Sequence, residues 1–257
     1  MKVLFLGDVV GRSGCQFAAK HLKSLKKMYG VDACIINGEN SAEGNGITPD
    51  RAKMLFDAGA DVITTGNHVL KRKEIYPVLD REDGIIRPAN YHESAPGCGV
   101  YILDQLRWQL CVINLQGQAG MEPCSVSPFQ KIDELLKEIK VKNIFVDFHA
   151  EMTSEKKAMG FYLDGRVSAV VGTHTHVQTA DERILPNSTA YITDVGMCGG
   201  KNSVLGVKKD IILHRFLTNL PVRFEYEHED MELNAVLITI DQSTGKAQAI
   251  ERICVSD

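Results

Sequence analysis

Lys2-Val3-Leu4-Phe5-Leu6-Gly7-Asp8 opens the chain, a short apolar run that stops at a glycine and an acid. The same form returns at Val31 to Ile36, which ends in Asn37-Gly38-Glu39-Asn40, and at Asp61 to Thr65, which ends in Gly66-Asn67-His68. Between the first two runs, Ser13 to Tyr29 spaces Phe17, Ala18, His21, Leu22 and Leu25 as a helix does. Between the second and third, Thr48-Pro49-Asp50 supplies an N-cap and a first-turn proline, and the helix it starts should run to Ala58 and stop at Gly59. Strand, polar loop, helix, strand is βαβ logic, so the fold class is α/β with a sheet that is at least partly parallel.

The second half repeats the pattern less regularly. Leu110 to Asn114, Asn143 to Phe148 and Ala169 to Gly172 read as strands, the last two ending at His149 and at Thr173-His174-Thr175-His176. Pro128 to Ile139 reads as a helix and Ser154 to Met159 as at least a helical turn. Val222 to Tyr226, Glu232 to Ile240 and Ala247 to Val255 are predicted antiparallel strands, with Asp241 to Gly245 turning between the last two.

No linker, repeat or low-complexity tract interrupts the 257 residues, so 1–257 are expected to form a single domain. Hydrophobic residues at 44% and charged residues at 24% exclude a disordered or fibrous chain. The longest apolar runs fall far short of the ~20 residues of a membrane span, and Asp8 interrupts the first run too early for a signal peptide. The net charge of −4, from 29 basic and 33 acidic residues, leaves no footprint for bulk nucleic-acid binding, though a small nucleotide or a short RNA end stays open as a substrate. Seven scattered cysteines without a C-x-x-C pair read as reduced thiols, mostly core fillers, in a cytoplasmic protein.

Ligands of open α/β sheets bind outside the carboxyl ends of the strands. Five predicted strands end there in Asp8, in Glu39 and Asn40, in Asn67 and His68, in His149, and in His174 and His176. This is an oxygen and imidazole set without thiolate, which suits iron, manganese or zinc in a hydrolytic site. Each member alone has an ordinary reading. Asp8 can cap the next helix, Glu39 and Asn40 can be loop residues, Asn67 can hold a turn, and His149 can be a core histidine. His174 and His176, at spacing two after a strand, should point to one side of an extended chain. The set is stronger than its members because one sheet edge would gather them all.

The series Gly7-Asp8, Gly38-Glu39-Asn40, Gly66-Asn67-His68, His149 and Gly172-Thr173-His174-Thr175-His176 resembles the calcineurin-like metallophosphoesterases. Their blocks run D-x-H, G-D-x-x-D-R, G-N-H-[DE], a lone His and G-H-x-H. Here Val10 replaces the first-block histidine, Glu39 with Asn40 the second-block aspartate, and Val69 the third-block acid. With Arg87-Pro88-Ala89-Asn90, Ile113-Asn114-Leu115-Gln116-Gly117, Asp147-Phe148-His149-Ala150-Glu151 and the block from Gly172 to Asp194, those departures resemble the YmdB-type branch nearly end to end.

The resemblance implies a layered α/β/β/α sandwich with mixed sheets and a site at strand carboxyl ends. It implies a 2′,3′-cyclic-nucleotide 2′-phosphodiesterase with two metal ions, iron first, manganese and zinc as alternatives. Glu39 would bridge the ions; Asp8, Asn40 and His176 would complete one, and Asn67, His149 and His174 the other. Two cations roughly 3.5–4 Å apart can share a hydroxide that attacks phosphorus in line, and His68 would protonate the leaving ribose oxygen. A homo-oligomer is expected from the same resemblance. A 3′,5′-cyclic or broad-specificity phosphodiesterase or phosphatase is the alternative within enzymes. The alternative of another class is a regulatory metal-binding protein acting through a partner such as an RNA-processing protein. Arg87 and Arg166 read as structural or surface pairs before phosphate contacts, and Asp194 as either a partner of a histidine or a helix cap.

Overall fold

A computed structural model describes residues 1–122 and 124–257. In chain order the strands are β1 (Lys2–Leu6), β2 (Asp8–Val9), β3 (Ala33–Asn37), β4 (Val62–Thr64), β5 (Val100–Gln105), β6 (Trp108–Gln116), β7 (Ile144–His149), β8 (Ala169–Thr173), β9 (Arg183–Ile184), β10 (Ala190–Ile192), β11 (Met197–Gly200), β12 (Ser203–Val204), β13 (Val207–Lys208), β14 (Met231–Ile240) and β15 (Ala247–Ser256). The helices are α1 (Gly11–Tyr29), α2 (Pro49–Ala58), α3 (Tyr76–Leu79), α4 (Pro128–Glu138), α5 (Thr153–Tyr162) and α6 (Lys209–Thr218).

Two mixed sheets face each other. The first runs β2-β11-β14-β1-β3-β4, with β15 paired to β14; the second runs β5-β6-β7-β8-β10-β9. β1, β3 and β4 are mutually parallel, and so are β6, β7, β8 and β10, while β14 runs against β1. Strand alternation explains the layers. Val3 and Phe5 of β1 point between the sheets with Phe145 of β7 and Val236 of β14. Leu4 and Leu6 point the other way, onto Phe17, Leu22 and Leu55 of α1 and α2. On the far side Ile113, Val146 and Phe148 meet Ile132, Met159 and Leu163 of the second sheet's helical layer. The result is the α/β/β/α sandwich. Phe5 and Phe145 stack across the seam with ring centroids 5.3 Å apart, and burying each ring is worth roughly 1.5–3 kcal/mol.

The local signals mostly act as expected. Thr48 caps α2 by accepting from the Arg51 amide, Pro49 sits in its first turn, and Gly59 ends it with a positive φ. α1 begins at Gly11 behind Val10, whose side chain caps nothing, so Asp8 is not a helix cap. One expected element fails, and one helix was not expected. Val222 to Tyr226 is not a strand: only Tyr226 makes a bridge, antiparallel to Val207, so the segment touches the edge of the β12–β13 hairpin at one residue and joins neither large sheet. α6 has no counterpart in the sequence reading, since its apolar residues surround the helix and only Ile212 is buried. Among the described residues no helix is long and apolar enough to cross a membrane. Four cysteines are buried and all seven are free.

Candidate active site

The carboxyl ends of β1, β3 and β4 from one sheet, and of β7 and β8 from the other, open onto one place. All eight residues singled out in the sequence meet there. His149 Nε2 stands 3.1 Å from Asn67 Oδ1, 3.1 Å from His174 Nδ1 and 3.2 Å from Glu39 Oε1. The ligating atoms of Glu39, His149 and His174 all lie within 4.8 Å of one another. Beside them Asp8 Oδ1 faces His176 Nε2 at 3.8 Å and His149 Nδ1 at 3.9 Å, while Asn40 Nδ2 lies 3.3 Å from His176 Nε2 and 2.9 Å from Glu39 Oε1. His68 Nδ1 is 2.8 Å from Asn40 Oδ1 and 3.2 Å from Glu39 Oε1.

Close backbone approach makes this crowding possible. A Cβ on Gly66 would collide with the Glu39 carboxylate and the His149 ring, so only glycine lets β4 end so near both. His174 and His176 do not lie on an extended chain as their spacing suggested. Both have positive φ, 97° and 64°, and their rings diverge, His174 toward His149 and His176 toward Asp8. Two non-glycine residues in the left-handed region within three positions is strain of the kind that collects at functional sites.

That strain is held by a buried pair. Lys156 of α5 and Asp194 are at most 1% exposed and 2.8 Å apart, and Asp194 Oδ2 also accepts from the Thr175 amide and hydroxyl. Asp194 thus grips the loop between the two histidines and touches neither ring. Behind His149, Nδ1 is 2.9 Å from Thr173 Oγ1, and that hydroxyl donates to Asp147 Oδ1 at 2.7 Å. Thr64 and Asn37 donate to the other Asp147 oxygen. The chain keeps a hydrogen on Nδ1 and aims Nε2 at Glu39, Asn67 and His174.

Electrostatics follow from burial and pairing. Burial alone would raise the Glu39 carboxyl, but His149 and His68 outweigh it and hold it well below the usual range. Burial raises Asp8 despite His176 and His149. Burial opposes protonation of His149, yet Glu39 and Asp8 carry it up to about 9. His174 is pushed down to about 3 by burial and by the neighbouring His149.

Asp147, Thr173, Lys156 and Glu151, which is 3.0 Å from His174 Nε2, were not singled out. One signal was available: Asp147 is a charge inside a fully buried strand that is otherwise apolar up to its final His149, and such a charge must be paired. Arg87 donates to the carbonyls of Pro88, Ala95 and Pro96, and Arg166 pairs with Asp133, so neither reaches the site.

A layered sandwich with carboxylate, amide and imidazole donors converging from both sheets is what metallophosphoesterases share, and this chain is one of them. It belongs to the YmdB-like family, whose pattern matches residues 4–253. It is 49% identical over 259 residues to the 2′,3′-cyclic-nucleotide 2′-phosphodiesterase of Bacillus subtilis (strain 168), covering 100% of this chain and 98% of that one. A crystal structure from Thermus thermophilus, described as a hypothetical protein, superposes with a TM-score of 0.94 at 38% identity, with all of both chains covered. One described as a novel phosphatase from Mycoplasma pneumoniae superposes with a TM-score of 0.94 at 35% identity, covering all of this chain and 93% of that one. The chain is an enzyme, a metal-dependent phosphoric diester hydrolase.

Proposed function

We propose that the chain opens 2′,3′-cyclic nucleotides to 3′-monophosphates at a centre of two cations, with His68 as the general acid. The observation that carries the reading is Asp8 Oδ1. It is fully buried, without a hydrogen-bond partner among the described residues, and turned toward two histidine nitrogens. A buried carboxylate oxygen in that state costs several kcal/mol unless a cation meets it. The donor set fits such cations. Asp8, Asn40 and His176 would hold one, Asn67, His149 and His174 the other, and Glu39 both. Asn40 turns its amide nitrogen inward and its oxygen to His68 Nδ1; a half turn presents that oxygen to a cation and leaves Glu39 as the acceptor for His68. Iron is the first expectation, with manganese or zinc accepting the same donors. When bound, the cations supply Lewis-acid polarisation of phosphate oxygens and lower the pKa of the attacking water.

The chain's own part is orientation and proton delivery. The Glu39 carboxylate faces His68 Nδ1, which keeps its hydrogen there. A second proton at Nε2, on the cleft side, is the one a leaving ribose oxygen can take; carrying it displaces the Asn45 amide nitrogen, which faces Nε2 at 3.3 Å. The 2′,3′-cyclic substrate is supported by the activity of the Bacillus subtilis relative, whose length this chain spans almost completely.

One preparation tests the reading in two ways. Metal content by plasma mass spectrometry should give about two ions per chain, and 2′,3′-cyclic AMP should be turned over ahead of 3′,5′-cyclic AMP and bis-p-nitrophenyl phosphate. His68→Ala should keep its metal and lose about 10²–10⁴-fold in kcat. Cleavage of the generic diester alone discards the substrate, and full activity in His68→Ala discards the acid.

A further inference from the structure

The cleft in front of His68 and His176 has two unlike walls. Its volume is about 420 Å³, in the range of small-molecule sites, and its floor is polar, with Asn40, His68, His174 and His176. The opposite wall is apolar: Leu205 on the β12–β13 turn, Ile212 and Phe216 of α6, and Phe224 and Tyr226 after it. Phe216 is 74% exposed, Leu205 48% and Phe224 45%. Phenylalanines so exposed at the mouth of a polar site contribute little to the fold. They are also not free of the floor. The Leu205 carbonyl faces His176 Nδ1 at 3.2 Å, and the Tyr226 hydroxyl donates to Asn45, whose amide nitrogen is 3.3 Å from His68 Nε2.

We infer that this wall is the nucleobase subsite: with the phosphodiester at the histidine floor, the base of the nucleotide lies against Phe216 and Phe224. The inference rests on the proposed cyclic-nucleotide reading and adds to it the part of the substrate that the residues of the floor do not touch. Aromatic faces suit any base, because every base has a π-face, so the wall selects nucleosides over other alcohols and discriminates little among bases. A second copy of the chain is the other occupant such a face can take. The single cavity that joins the wall to the histidines favours the base.

The test compares substrates with and without a base. For Phe216→Ala and Phe224→Ala, the ratio of kcat/KM for 2′,3′-cyclic AMP to that for glycerol 1,2-cyclic phosphate should fall about tenfold, mostly through KM. Substitution at the exposed Phe216 leaves the core untouched; circular dichroism checks the fold of both. An unchanged ratio overturns the inference, and so does a parallel loss on both substrates. A separate readout does not depend on turnover. In Phe216→Trp, titration with 3′-AMP should quench the new indole, whereas glycerol phosphate should not. If the parent enzyme cleaves neither substrate, the proposed activity fails, and the quench alone decides the wall: present, it stands; absent, it falls. A shift in sedimentation of Phe216→Ala toward a smaller species, with no nucleotide effect, assigns the face to a second copy and overturns the base.

Discussion

The two halves of the site are anchored in different ways. His149 sits in the interior, its Nδ1 tied through Thr173 to Asp147, and Asp147 is fixed in turn by Thr64 and Asn37. Every member of that chain is buried. Among the described residues His176 is held from behind only by the carbonyl of Leu205, the exposed member of the two-residue turn between β12 and β13. Leu205 and Gly206 both have positive φ, the geometry of a tight hairpin turn, which leucine adopts at a cost. One half is set by the core, and the other leans on a surface hairpin. The difference teaches that the same imidazole chemistry can be pre-organised either by depth or by a strained turn.

The largest effect should come from the element that both halves share. Lys156→Met removes the cation from a buried pair and leaves Asp194 charged and unpaired under the histidine loop. Breaking such a pair costs about 3–5 kcal/mol, read as a lower urea midpoint at unchanged slope. A loss below about 1 kcal/mol would mean that the loop keeps its own shape.

Next is Thr173→Val, which leaves His149 Nδ1 and Asp147 Oδ1 without their shared hydroxyl. About 1–3 kcal/mol of stability should go, and the affinity for one of two metal equivalents should fall about 10–100-fold by calorimetry. An equal loss at both equivalents would show that the halves are not separately anchored.

The smallest effect is expected from Leu205→Asn. Asparagine tolerates the left-handed conformation and keeps the carbonyl that faces His176. Stability should change by less than about 0.5 kcal/mol, and metal affinity should stay within roughly threefold. A larger loss of the second equivalent would show that the leucine side chain, rather than the backbone, supports His176.

Much of this was legible beforehand for one reason. In a βαβ chain chemistry collects where strands end, and Gly7-Asp8, Gly38-Glu39-Asn40 and Gly66-Asn67-His68 each close an apolar run that a reader can see. The backbone angles were not legible. Spacing two after β8 suggested one side of an extended chain, but Thr175 is pulled down by Asp194, more than a dozen residues away in sequence, and the two rings part. Asp147 looked like one polar letter in a strand, because its partners Thr64 and Asn37 belong to other strands. α6 lacked the apolar stripe by which a helix announces itself, since most of its apolar residues meet solvent or the cleft. Val222 to Tyr226 carried strand-forming residues, but only Tyr226 reaches an edge, that of the β12–β13 hairpin.

Phe5 and Phe145 stack at the seam between two sheets that each bring part of the site: the first Asp8, Glu39 and Asn67, the second His149 and His174. That makes the seam a ruler. A slip of one sheet along the other by a single ångström would shift every distance between the two groups of donors while leaving each group intact within itself. Repacking the stack is therefore a way to retune the spacing of the whole centre without changing any of its donors.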